Sequence, residues 1–505
     1  MRRKAGIAAF VVMLFCVMEV TAQTNPGFEK GLTGWIKTGK SAAVSVNDNA
    51  HGGKACAKLS AGPAGIMQRI KVGQLSVLSF NCFVSVSDTT TKATAFVRFF
   101  DEDAKLLLTY KSAPVNSIKY TSTGNYTETP ANTSYMEIGV EHTSGNGSVY
   151  VDDFTIDINV GKPKVKHATT ANLNQYMRPF WKSDTIYNET VLLFSKDGKP
   201  ADGKLLYMPS KILSVKNFAL TITFKQGVDY TIDGNVITML QGSKMPFRAD
   251  TSFDTKKDLA WYNLQSQWVV VTYTHTDKWD GPAPVYKGDK MPRVLAKLKR
   301  KKAVKIVALG MSITRGMDVS SYDTVAPYMP TYVDLFARQL KKAYNYGNIT
   351  MYNAGLPGAV VDWGAQYCDK YITPLRPDLI ILDFGMNDFW RYTPEQFKGF
   401  IETIIKRERA GCPNAEFLLI SNMKFDPDYV LDSDRYKGFY VGNLQGYSEV
   451  LKQMEGEGII NLDMTEISDA IYRHKKAKDC IVNPLHPNDY MARWYAQGLA
   501  ALLIK

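Results

Sequence analysis

The feature that most constrains this chain is a set of five short apolar runs in its C-terminal part, at residues 306–309, 349–352, 379–384, 417–420 and 459–462. Each is nearly continuous rather than alternating, the pattern of parallel strands covered on both faces. Helical patterns separate them. Val333, Phe336, Ala337, Leu340 and Tyr344 fall at i, i+3, i+4, i+7 and i+11, which makes one buried stripe. Residues 395–409 and 489–502 read the same way. Strand and helix alternating in this order predict a three-layer α/β domain with a doubly wound parallel sheet, over 297–505.

The remaining sequence reads differently. From Gln23 to about Asp157, short alternating segments are broken by Gly, Asn, Asp, Ser and Thr, with residues 95–100 and 148–156 strand-like, which predicts a β-sandwich over 23–160. A Lys- and Pro-rich linker at 161–166 leads to a second β-rich stretch. There Phe218, Leu220, Ile222 and Phe224 alternate, and Asp233-Gly234-Asn235 separates two strand-like triplets as a hairpin turn would. This stretch, 161–296, reads as a β-rich accessory domain or an extension docked on the α/β domain. At 505 residues the chain is too long for one hydrophobic core, in keeping with several domains.

Residues 1–22 have the layout of a signal peptide: Arg2, Arg3 and Lys4, an apolar stretch from Ala5 to Met18, then Val20-Thr21-Ala22 before a cleavage point at Gln23. The stretch is short for a membrane span and no later segment approaches that length, so the mature chain is expected to be exported, periplasmic or extracellular. Phe15 before Cys16 argues against a lipoprotein. The formal charge of +12 falls to +10 without the leader, and part of it is the run Lys297, Lys299, Arg300, Lys301, Lys302 and Lys305. A local cluster without interleaved aromatics is a solvated surface and not a nucleic-acid site. Cys56, Cys82, Cys368, Cys412 and Cys480 show no metal-ligand spacing and are expected to be buried thiols, although Cys56 and Cys82 could pair if their strands adjoin.

Ligands of an open parallel sheet bind beyond the carboxyl ends of its strands. The residues there are Gly310-Met311-Ser312, the loop from Asn353 to Gly358, Gly385-Met386-Asn387-Asp388 and, before the last helix, Asn483-Pro484-Leu485-His486. A hydroxyl, a glycine amide, a carboxamide and an imidazole thus come to one edge, and this is the set acyl transfer needs. Serine requires a base to become a nucleophile, and histidine is neutral at working pH. Donors aimed at the developing oxyanion are worth about 3 to 4 kcal/mol each. The backbone N–H groups of Ser312 and Gly355 and the side chain of Asn387 are the expected donors.

These four blocks resemble the SGNH (GDSL-like) serine hydrolase superfamily, with Gly310-Met311-Ser312, Gly355, Gly385-x-Asn387-Asp388 and His486-Pro487 in the family's order over about residue 305 to the end. The resemblance implies a flavodoxin-like fold and hydrolysis of esters of lipids, acylated sugars or small molecules. Two positions depart from the family. Met311 stands where its first block has aspartate, and Asn483 stands where its last block has the aspartate that supports the histidine. Ser312 and His486 are then expected to act as a dyad, with Asn483 accepting a hydrogen bond from the imidazole Nδ1; Asp479 or Asp489 could serve instead.

Asn25-Pro26-Gly27-Phe28-Glu29, Gly34-Trp35 and Tyr150-Val151-Asp152-Asp153-Phe154 resemble the first and last strands of jelly-roll carbohydrate-binding modules. That resemblance implies a possible structural calcium near Glu29 and Asp153, and no cofactor is expected for catalysis. Trp363, Tyr367, Phe389 and Trp390 are candidate platforms for a sugar ring or acyl chain, and Trp279 could reach the site from the second β stretch. The function expected is an exported esterase that removes acetyl or other small acyl groups from a glycan. The alternatives are a lipid or thioester hydrolase and a noncatalytic glycan-binding pseudoenzyme. Nothing in the sequence sets the oligomeric state.

Overall fold

The computed structural model describes residues 23–39, 43–46, 49–158, 167–249, 265–427 and 441–505. The expected leader and the 161–166 linker lie outside the described residues. The chain divides into two compact units, Met1–Val160 and Gly161–Lys505.

The first unit is a sandwich of two five-stranded antiparallel sheets. One runs in the order Ile36–Gly39, Ala64–Lys71, Tyr135–Ser144, Lys92–Phe100, Leu106–Lys111, and the other Ala43–Val46, Cys56–Leu59, Val149–Ile158, Val77–Val86, Thr121–Glu128. Alternate residues of both sheets point inward, as the strand period of two dictates. The core they form includes Phe28, Trp35, Ile66, Phe80, Val97, Ile138 and Phe154. Phe154 packs against Trp35 with ring centroids 4.7 Å apart, tying the last strand to the first segment.

The second unit contains both the accessory β stretch and the α/β domain. A four-stranded sheet (Thr185–Leu192, Trp268–His275, Pro209–Asn217, Thr223–Phe224) and a five-stranded sheet (Tyr230–Asp233, Val236–Met239, Asp202–Lys204, Phe194–Ser195, Arg248–Ala249) make up the β stretch. Gly234 takes φ +55° at the expected hairpin. The alternating run 218–224 is not one strand. Asn217 Oδ1 accepts the N–H groups of Thr221 and Ile222, each at 2.9 Å, closing a turn in which Leu220 has φ +66° and Ile222 faces solvent. A side chain that caps its own turn outcompetes the ladder here.

The parallel sheet runs Ile349–Gly355, Val304–Gly310, Leu379–Asp383, Glu416–Ser421, Ile459–Asp463, the strand order 2-1-3-4-5 of the flavodoxin-like class. Helices Tyr332–Ala343 and Asp489–Leu503 pack together as one layer, and Val361–Tyr371, Pro394–Gly411 and Val441–Gln453 form the other. Thr393 caps the helix Pro394–Gly411 in a reciprocal box with Gln396, with proline at its first position. The boundary drawn at 297 falls inside the helix Pro292–Lys299, whose Val294, Leu295 and Leu298 are buried. All five cysteines from Cys56 onward are buried thiols outside any disulfide. Among the described residues no helix is long and apolar enough to cross a membrane.

Candidate active site

The strand Val304–Gly310 delivers Ser312 to the carboxyl edge of the sheet. Met311 is extended, Ser312 opens the short helix Ser312–Arg315, and Gly316 closes it at φ +86°. Gly310 has to be glycine, since a Cβ there would meet Thr314 Oγ1 and the Asp383 carbonyl. Beneath the turn lies the buried Asp383 carboxylate, which accepts Thr314 Oγ1 at 2.7 Å, Tyr332 Oη at 2.7 Å and Asn422 Nδ2 at 2.6 Å. Burial pushes this carboxyl up, and the three donors pull it back. The floor of the Ser312 turn is therefore a fully bonded polar network, of the kind that fixes geometry.

Ser312 Oγ lies 2.7 Å from His486 Nε2, and both residues are buried. The other ring nitrogen, Nδ1, is hydrogen-bonded to Asp318 Oδ2. Nδ1 therefore carries the proton and Nε2 is free to accept the serine's, the arrangement of a Ser-His-Asp triad. Asp318 lies in none of the four sequence blocks, and it replaces the supports expected from them. Asp479 Oδ1 accepts the Leu192 N–H at 2.7 Å, and Asp489 accepts Ser320 N–H at 2.8 Å and Ser320 Oγ at 2.6 Å. Neither carboxylate is the partner of His486.

Asn483 also differs from expectation. Its Oδ1 accepts the backbone N–H groups of Leu485 and His486, each at 3.0 Å, so it cannot be the acceptor for Nδ1. Its Nδ2 donates to Asp318 Oδ2 at 2.5 Å. The asparagine thus holds the carboxylate that holds the histidine.

Asp318 lies in the loop after the helix Ser312–Arg315, at φ +66°, a conformation aspartate tolerates better than most residues. Three elements brace that loop. Gln265 Nε2 donates to the Asp318 carbonyl at 3.0 Å and also to Asp323. Asp489, on the last helix, holds Ser320. Thr170 N–H and Thr169 Oγ1 both donate to the Pro327 carbonyl, at 3.1 and 2.8 Å. Burial, and then the Asp318 charge, push the Asp323 carboxyl up to about 6.

Of the three expected oxyanion donors, Ser312 N–H sits at the start of its helix with no partner among the described residues. Gly355 N–H is committed to Asn353 Oδ1 at 3.0 Å, which removes it from the set. A Cβ at Gly355 would collide with Arg315 N, so this glycine serves close packing under the turn. Gly358, in the same loop at φ +79°, has an N–H with no partner among the described residues. Asn387 Nδ2 donates to the Ala359 carbonyl at 2.9 Å and lies 3.9 Å from Met311 Sδ, so in this state it is tied to the second loop. Asp388 joins the same two loops, accepting Val361 N–H at 2.7 Å and Gly385 N–H at 2.8 Å.

The candidate aromatic platforms separate. Phe389 is a core residue whose ring packs at a tilt against Phe425, centroids 5.0 Å apart. Trp363 is half-buried and packs on Tyr371 at 5.0 Å and Tyr367 at 6.2 Å, and the Arg391 guanidinium lies 4.4 Å over the Trp390 ring. Trp279 packs on Trp494 at 5.3 Å and His474 at 6.1 Å, a contact with the last helix layer that leaves it no part in the triad.

In the sandwich, Glu29 Oε1 accepts the N–H groups of Lys54 and Ala55 at 2.7 and 3.1 Å, and Asp153 Oδ2 meets His51 Nδ1 at 2.7 Å. Both carboxylates therefore border the 51–55 turn. Among the described residues no group of three or more His, Cys, Asp or Glu could hold a metal ion.

Residues 308–494 match the model of the GDSL-like Lipase/Acylhydrolase family. No curated protein sequence matches the chain. Similar solved structures include a family 16 carbohydrate-binding module (20% identity, 26% of this chain and 97% of that one, TM-score 0.24). A two-domain esterase active on acetylated mannans is similar at 19% identity, covering 43% of this chain and 52% of that one, TM-score 0.33. A catalytic mutant of an acetylxylan esterase from Geobacillus stearothermophilus is similar at 16% identity, covering 40% and 96%, TM-score 0.32. With the four loops at one sheet edge and the family model spanning them, the chain contains a domain of the GDSL-like lipase/acylhydrolase family.

Proposed function

We propose that the protein is an exported serine esterase that removes acetyl or other small acyl groups from a glycan. The observation that carries the hydrolytic part is the unbroken relay from Ser312 Oγ through His486 to Asp318. In this reading His486 Nε2 takes the serine proton as Oγ attacks the ester carbonyl. The new imidazolium is held by the Asp318 carboxylate, and His486 then returns the proton to the leaving sugar hydroxyl. Water repeats the cycle on the acyl-enzyme. The oxyanion is received by the N–H groups of Ser312 and Gly358, with the Asn387 amide turning from the Ala359 carbonyl once substrate displaces it.

The glycan part rests on the sandwich. Register places Phe83, Tyr150, Lys58, Asn81, Ser122 and Tyr126 on the outer face of one sheet, opposite its core residues. Rings interleaved with polar side chains suit sugars, whose apolar faces stack while hydroxyls bond beside them. A structural calcium at Glu29 and Asp153 belongs to the same reading, because the two carboxylates bordering the 51–55 turn offer the hard oxygen donors calcium prefers. Export rests on residues 1–22.

The test is acetate release from acetylated oligosaccharides and hydrolysis of p-nitrophenyl acetate by the full chain and by Ser312→Ala. The variant is expected to lose at least about 10³-fold in kcat. Equal activity of the two proteins would sink the mechanism, and preference for long acyl chains would move the substrate class to lipids. No hydrolysis and no fluorophosphonate labelling, alongside retained glycan binding, would leave a binding protein.

A further inference from the structure

The triad's acid and the asparagine beside it form one seat for one negative charge. Asp318 Oδ2 accepts from both His486 Nδ1 and Asn483 Nδ2. Asn483 Nδ2 is itself 3.0 Å from His486 Nδ1, so the tips of both side chains lie within hydrogen-bond reach of the same ring nitrogen. Because Nδ1 donates, only a negatively charged or carbonyl oxygen is useful to it. One side chain supplies that oxygen, and the other supplies the N–H that locks the oxygen in place.

We infer that positions 318 and 483 are interchangeable seats for the catalytic carboxylate, and that Asn483 is the positioning residue of this pair. This inference rests on the esterase reading above. Exchanging the two residues inverts the local bond and keeps everything else. With Asn483→Asp, the new carboxylate would retain one oxygen on the Leu485 and His486 N–H groups and offer its second to Nδ1. With Asp318→Asn, the new amide would donate its N–H to that second oxygen. Both backbones accept the exchange. Asparagine tolerates the positive φ of position 318 as well as aspartate does, and aspartate accepts the two turn N–H groups at position 483 as asparagine does.

Three variants separate this from a merely structural role. Asp318→Asn leaves two amides and no charge, and its kcat is expected to fall by about 10³- to 10⁴-fold with KM little changed. Asn483→Asp puts two carboxylates together. Their repulsion disfavours ionising both, so one proton is shared, and activity should stay well above that of Asp318→Asn. A new ionisation above the ordinary carboxylate range should then appear in its kcat/KM profile. The exchange Asp318→Asn with Asn483→Asp should restore kcat to within about tenfold of the unaltered protein.

The assay is p-nitrophenyl acetate hydrolysis across pH, with thermal melting of each variant as the folding control. A double variant that melts like the unaltered protein yet stays as slow as Asp318→Asn overturns the inference. If the double variant does not fold, a folded Asn483→Asp as slow as Asp318→Asn overturns it equally. Failure of the esterase reading looks different, since the unaltered protein would then show neither hydrolysis nor fluorophosphonate labelling.

Discussion

Asp388 shows how much one side chain carries in this site. Its carboxylate ties the loop after Leu379–Asp383 to the helix Val361–Tyr371 through two backbone N–H groups. Burial pushes that carboxyl from 3.8 up to about 7, against the pull of the two N–H groups. Between those values the unfolded chain gives up its proton while the folded chain keeps it. This residue's contribution to stability is thus full below pH about 4 and is lost as pH rises through about 7. In Asp388→Asn, which keeps an acceptor for only one of the two N–H groups and does not ionise, the protein should melt lower throughout but its fall in melting temperature between pH 4 and 7 should be shallower. A melting profile parallel to that of the unaltered protein would show that Asp388 is not the group titrating there. The same scale explains what the sequence concealed. Ser312 and His486 are legible because each stands just after a strand or before a helix in a recognisable block. Asp318 is not, because it reaches His486 from the loop that follows Ser312 itself. That reach is set by the braces from Gln265, Ser320–Asp489 and Thr169, which are tertiary contacts and leave no spacing in the chain.

At the scale of elements, burial patterning carried the prediction where it was strong. The five apolar runs became the five parallel strands, and the helix of the Val333 stripe runs Tyr332–Ala343. Alternation failed at 218–224, where the Asn217 cap made a turn from a strand-like pattern. The N-terminal ends of the sandwich offer a test of their own. Glu29 and Asp153 come from opposite ends of the unit and converge on the 51–55 turn, where a Cβ on Gly52 or Gly53 would strike one carboxylate or the other. Two carboxylates closing on one turn repel each other unless hydrogen bonds or a cation compensate, and a bound cation stabilises the folded state by mass action. Chelation with EGTA is expected to lower the melting temperature of the sandwich transition, and added calcium to restore it. A transition unmoved by either would leave the carboxylates with their turn-capping role alone.

At the scale of the molecule, the β stretch before the α/β domain belongs to the hydrolase's own core. Leu192, Phe218, Trp268 and Val270 from that stretch pack with Val482, four residues before His486. Trp268 Nε1 donates to the Lys478 carbonyl at 2.9 Å. Asn488 Nδ2 bridges Thr190 Oγ1 and the Asp479 carbonyl at 3.1 and 2.8 Å. A fully buried ion pair crosses the same boundary: Lys475 Nζ meets Glu189 Oε1, while Glu189 also accepts Leu206 N–H at 2.8 Å and Tyr273 Oη at 2.6 Å. Burial alone would lower the Lys475 pKa; Glu189 and Asp479 more than reverse that, so the ammonium stays charged. Lys475→Met strands the carboxylate and is expected to cost about 3 to 5 kcal/mol. Glu189→Gln with Lys475→Met removes both charges and keeps polar partners for Leu206 and Tyr273, so the double variant should be more stable than Lys475→Met alone. Because the pair backs the 475–488 segment that presents His486, hydrolysis of p-nitrophenyl acetate should fall in Lys475→Met and recover in the double variant. Additive losses in melting temperature, with activity unchanged throughout, would mean that the β stretch is only attached to the hydrolase and does not hold its histidine.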